Sequence, residues 1–84
     1  MNIKLTVRNA LGKIVYCVIS PTEDREKQLS EVMGCEPGRG FSISLKEKAI
    51  DLVDYFAGET RATFEILSEE ETDLPVALHW SQAE

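Results

Sequence analysis

Histidine is almost absent from this 84-residue chain: His79 is the only one. Two cysteines, Cys17 and Cys35, stand far apart, with no CxxC or HxxxH pair to hold zinc. A small secreted domain usually carries a denser disulfide framework, so two free thiols in a reducing compartment are expected. Long apolar runs are missing too. The longest, IVYCVI (Ile14 to Ile19), has six residues, against the roughly 20 a membrane helix needs. The opening MNIKLTVRNALGK contains no apolar signal core. These features lead to the expectation of a cytoplasmic protein that does not enter membranes.

Phosphate-binding glycine loops are also missing. GCEPGRGF (Gly34 to Phe41) is glycine-rich, but only three residues stand between Gly34 and Gly38, where a Walker A loop has four, and Arg39 stands where it has lysine. Gly38-Arg39-Gly40 is followed by Phe41-Ser42-Ile43, which breaks the GxGxxG dinucleotide pattern. A helix stop at Gly34 followed by a Pro37-Gly38 turn accounts for the composition. The acidic run Glu69 to Asp73 has no central glycine, as an EF-hand loop requires. No cofactor or metal is therefore expected. A Cys–His nucleophile pair would need His79 within hydrogen-bond reach of a thiol, which spacing does not indicate, so an enzyme is not expected.

Acidic charge is plentiful. The net charge is −6, and its distribution is lopsided. Residues 1–42 carry six basic against five acidic side chains, whereas residues 43–84 carry three against ten. A field of that sign repels nucleic acid and anionic lipid and favours basic partners. The cluster Lys4, Arg8 and Lys13 is too small for the basic face a nucleic-acid binder needs.

The pattern of apolar residues predicts one domain over residues 1–84. NIKLTVR alternates as a half-buried strand, and NALG leads into KIVYCVI as the second arm of a hairpin. Pairing Arg8 with Lys13 would set Val7, Leu5 and Ile3 against Ile14, Tyr16 and Val18, and turn Val15, Cys17 and Ile19 to the back. SPTEDREKQLSEVMG reads as a helix capped by Ser20, with Pro21 at its first position, Glu23 closing a capping box and Gly34 ending it. After a short strand at Phe41–Ile43, Ser44 and Glu47 suggest a second capping box. Leu45, Ala49, Leu52, Val53 and Phe56 then form a helical stripe ending at Gly58. TRATFEIL and VALHW alternate as strands joined by the acidic loop SEEETDLP, with residues 80–84 a frayed tail. The expected fold is α+β, a two-layer β-β-α-(β)-α-β-β domain. A four- or five-stranded, mostly antiparallel sheet would carry two helices on one face.

Three surfaces follow from this reading. Glu47, Asp51 and Asp54 would form an acidic ridge on the second helix, which with Glu69, Glu70, Glu71 and Asp73 would dock on a basic protein surface. A nucleic-acid mimic of the kind phages and mobile elements use as inhibitors is the sharper version. Val15, Cys17 and Ile19 would instead serve a homodimeric regulatory or small-ligand-binding module. Arg39, Ser44 and Lys46 would make a weak anion site at the second helix's N-terminus.

Overall fold

A computed structural model describes residues 1–34, 40–55, 58 and 60–83. It is α+β, with six antiparallel strands and one helix among the described residues. The strands are β1 (Asn2–Arg8), β2 (Ile14–Ile19), β3 (Phe41–Lys46), β4 (Ala49–Asp54), β5 (Thr60–Thr72) and β6 (Ala77–Gln82). The helix, α1 (Arg25–Met33), follows β2. All strands join one sheet in the order β3-β4-β5-β1-β2-β6. Among the described residues no helix is long and apolar enough to cross a membrane.

Asn9 sets the register of the first hairpin. Its Oδ1 accepts from the Leu11 and Lys13 amides at 2.9 and 3.0 Å, and its own amide donates to the Lys13 carbonyl at 2.8 Å. Gly12, at φ +80°, supplies the left-handed residue such a loop needs. Asn9 therefore closes against Lys13, and Arg8 pairs with Ile14 rather than with Lys13. A slip of one residue turns every side chain over. Val15, Cys17 and Ile19 consequently face the core beside Val7, Leu5 and Ile3, and all but Ile3 are buried. Ile14, Tyr16 and Val18 lie on the opposite face instead.

α1 starts later than expected. Asp24, with extended backbone, is the N-cap, and its Oδ1 accepts from the Glu26 and Lys27 amides. Ser20 is held outside the helix by Gln28, whose side-chain Oε1 accepts from the Ser20 amide at 2.7 Å and whose Nε2 donates to its carbonyl at 2.9 Å. This pair of bonds also satisfies the amide of a buried glutamine. Gly34 ends the helix in the left-handed conformation, its N–H directed at the Glu31 and Ser30 carbonyls.

The expected second helix is a β-hairpin. β3 and β4 meet in register, Ile43 opposite Leu52 and Leu45 opposite Ile50, with Glu47 and Lys48 between the strands. The same residues satisfy both a helical and an alternating period. Pairing with β5 decides between them, through Ile50 opposite Phe64 and Leu52 opposite Ala62. Among the described residues there are thus six strands rather than four or five, and one helix rather than two. The C-terminal segment is not frayed: β6 continues to Gln82, and the Ala83 amide donates to the Ile14 carbonyl at 3.1 Å.

The sheet curls around its helix. Six strands laid flat would separate the outer two by roughly 24 Å, yet α1, nine residues long, packs against both outer strands, β3 and β6, as well as β2. Phe64 of β5 and Trp80 of β6 stack at 5.8 Å, although β1 and β2 lie between their strands. The concave face holds Leu5, Val7, Val15, Cys17, Ile19, Ile43 and Ile50 against Leu29 and Val32 of the helix. At its open end Leu11, Met33, Leu52, Phe64 and Trp80 border an apolar hollow.

Leu29 is fully enclosed, whereas Leu11 is 82% exposed. Leu29→Ala should therefore cost about 3 kcal/mol of unfolding free energy, and Leu11→Ala less than about 0.5 kcal/mol. Urea denaturation of the two variants measures the contrast.

Candidate partner-binding surface

β5 is thirteen residues long and changes partners along its length. Its first half pairs with β4, from Thr60 opposite Asp54 to Glu65 opposite Ala49. That ladder closes with the Ile66 amide donating to the Lys48 carbonyl at 2.9 Å. Its second half pairs with β1, from Glu65 opposite Arg8 to Thr72 opposite Asn2. From Leu67 to Thr72, the edge turned away from β1 has no strand beside it among the described residues. A bulge between the pairs of Thr6 and Val7 places the irregularity at Leu67.

The residues expected as an acidic loop are thus mostly strand. Glu69 and Glu71, opposite Leu5 and Ile3, share the helix side of the sheet, while Glu70, opposite Lys4, lies on the convex side. Arg25 at the start of α1 reaches Glu69 at 2.6 Å. Lys4 lies over the Tyr16 ring, 4.6 Å from its centroid, so it is turned toward the aromatic face. Glu70 and Glu71 are exposed and make no ion pair among the described residues. Asp73 follows in the connection to β6, where the Thr72 hydroxyl accepts from the Leu74 amide at 3.2 Å. Glu47, Lys48, Glu65, Ile66, Leu67, Ser68 and Glu69 line a shallow groove of about 450 Å³ beside this edge.

The ridge Glu47–Asp51–Asp54 does not exist, because the helix that would have aligned it does not form. Glu47 sits in the β3–β4 turn, Asp51 on the convex face and Asp54 on the other. Asp51 is engaged within the chain: Lys46 Nζ lies 2.7 Å from its Oδ2, and the Thr63 hydroxyl donates to its Oδ1 at 3.1 Å. These donors, Lys46 first, hold its carboxyl below the usual carboxylate range. Glu65 is paired with Arg8 at 3.0 Å.

The anion site loses its basis in the same way. Ser44 and Lys46 are on a strand, where no ring of free helix amides exists, and Arg39 lies outside the described residues. Val15, Cys17 and Ile19 likewise form no open dimer face, since they are buried in the chain's own core. His79 is exposed on the convex side, its Nδ1 3.4 Å from the Ser81 hydroxyl, while Cys17 is buried on the concave side. The sheet itself separates them. Burial pushes the Cys17 thiol up to about 11, which makes it a poor nucleophile at neutral pH. Cys35 lies outside the described residues. Among the described residues no three His, Cys, Asp or Glu side chains group to hold a metal ion.

Sequence reasoning passed over Leu67, Lys48 and the staggered pairing of β5. The uninterrupted alternation of TRATFEIL did signal a strand; its continuation through SEEET carried no apolar residues to announce it. Compared with known proteins, the chain matches no family model, no curated protein and no solved structure.

Two outcomes test these environments. Asp51 has a lowered pKa in the folded chain, so its contribution to stability is complete above the unfolded carboxylate pKa and disappears as pH falls through the folded value. The stability difference between wild type and Asp51→Asn, followed by urea midpoints, should be largest near neutrality and close in acid. In a Cys35→Ser background, Cys17 should resist a thiol reagent at neutral pH and react at once when the chain is unfolded.

Proposed function

We propose that this chain is a small acidic protein-binding module that docks on a basic segment of a protein partner. The carboxylates about the second half of β5 are the contact. The observation that supports this reading best is that Glu70 and Glu71 stand exposed and without a counter-ion among the described residues, beside Glu69 and the groove running to Glu47. Charges left unpaired on a folded surface steer an oppositely charged partner and select it against like-charged ones. The net charge of −6 adds a long-range field of the same sign. A partner whose basic groove otherwise holds nucleic acid is suited to the same contact, and the chain would then act as an occluding mimic.

The contact lies on a different surface from the ridge expected on a second helix: Asp51 is neutralised by Lys46, and Asp54 lies on the opposite face from Asp51. The surface is small. A complex held by a few exposed charges is fast to form and weak at high ionic strength.

The tagged protein should capture its partner from host extract at low salt, release it at high salt, and lose it when Glu70 and Glu71 are both replaced by lysine. Mass spectrometry identifies the captured protein. A captured partner retained equally by the double variant and in high salt would overturn the reading.

A further inference from the structure

The edge of β5 at Leu67–Thr72, without a neighbouring strand among the described residues, has both the backbone groups and the setting of a strand-addition site, and the geometry points to its occupant: an extended basic peptide segment that pairs with it as a further strand. This inference rests on the acidic-module reading above and gives it a binding mode. In an antiparallel ladder, alternate residues direct their N–H and C=O groups to either side. β1 takes one set from β5 here, and the other set faces the space beside the groove. The remaining edges are approached by the helix, since α1 packs against both β3 and β6. The edge of β5 from Leu67 onward lies outside that packing and is reached from the helix by the Arg25–Glu69 ion pair.

The space has a defined boundary. β4 occupies the neighbouring lane as far as Ala49, and the Glu47–Lys48 turn ends it. An incoming strand would continue that lane beyond the turn for up to six residues, about 20 Å. Leu67, 38% exposed at the bulge, offers an apolar contact at the start of the lane. Further along, Glu71 would meet side chains on the helix side and Glu70 those on the convex side. The occupant therefore needs cations on both faces, which neighbouring rather than strictly alternating basic residues provide.

Charge decides against a second copy of this chain. A two-fold antiparallel pairing of this edge with itself, centred on Glu70, would set Glu70 across from its own copy and Glu69 across from Glu71. Like charges directly opposed across a ladder are destabilising. The same carboxylates that guard the edge against self-association favour a basic strand.

The test uses the full chain, isotopically labelled, titrated with an end-capped six-residue peptide of lysine and valine. Two further versions are N-methylated at alternate amides, one for each alternation. Strand addition predicts shifts and slowed exchange among the Leu67–Thr72 amides. It also predicts that one methylated version, and only one, loses about a hundredfold in affinity, as removal of three ladder hydrogen bonds implies. Glu70→Lys combined with Glu71→Lys should weaken the parent peptide about tenfold; circular dichroism checks that this variant is folded. If both methylated versions bind as tightly as the parent, strand addition is overturned while charge-driven docking stands. If one version alone is impaired but the charge-reversed variant binds the parent undiminished, the edge binds strands and the acidic-module reading fails. Absence of parent binding, or a dimer of the protein with protected Leu67–Thr72 amides, overturns the basic occupant.

Discussion

The staggered pairing of β5 holds this molecule together. One strand of thirteen residues ties the β3–β4 hairpin to the β1–β2 hairpin by lending its first half to one and its second half to the other. Without that overlap the β3–β4 hairpin, too small to be stable in water by itself, would have no strand joining it to β1, β2 and β6. With it there is one sheet, and a core continuous from Ile43 on β3 to Ile19 on β2. The stagger has an unavoidable geometric consequence. Where β5 leaves β4 before it has finished with β1, one of its edges has no strand beside it among the described residues, and the carboxylates lie along that length.

Curvature solves a second problem. A domain of this size buries only about 60% of its unfolded surface, and one nine-residue helix cannot cover a flat six-stranded sheet. Curling brings the outer strands to the helix and brings Phe64 and Trp80 into a stack over the strands between them. Bulges support the bend: the β1–β5 ladder shifts register between Thr6 and Val7, and the β2–β6 ladder between Tyr16 and Val18. Val18 is on the convex side and yet only 2% exposed. The connection from β5 to β6 crosses that end of the hairpin, fixed by Asn2 donating to the Leu74 carbonyl at 2.8 Å. β2 is therefore an interior strand buried on both sides at its Cys17–Ile19 end, whereas Ile14, on the convex side, is exposed.

Much of this was legible in residue patterns, and what was not has specific causes. The alternation of Ile3, Leu5 and Val7 marked β1 correctly, and Gly34 marked the end of α1, because both signals are local. The partner of Leu5 was not legible, since it depends on whether Asn9 closes its loop on Lys13, a side-chain hydrogen bond that composition does not reveal. Residues 44–54 satisfied helical and strand periods together. The tie was broken by β5, whose partners lie six to sixteen residues further along the chain. That error carried the candidate site with it, because an acidic ridge at Glu47, Asp51 and Asp54 requires helical spacing. The acidic character of the second half survived the change of fold, but its location moved from a helix face to a strand edge.

Carboxylates on a bare edge have two physical roles that are not in competition. Ladder hydrogen bonds are blind to sequence, so an unguarded edge accepts any extended chain, including its own copies. Charge converts that indiscriminate affinity into a choice, because each mispaired like charge opposes association while each opposite charge assists it. Glu69 illustrates the balance. Its tie to Arg25 fixes the start of the helix relative to the strand and leaves the excess negative charge on Glu70 and Glu71, one on each face of the sheet. An incoming strand alternates its side chains between those faces, so a strand with cations on one face alone can neutralise only one of the two. Selectivity at this edge would then come from where the partner's charges fall along its backbone, in addition to how many it carries.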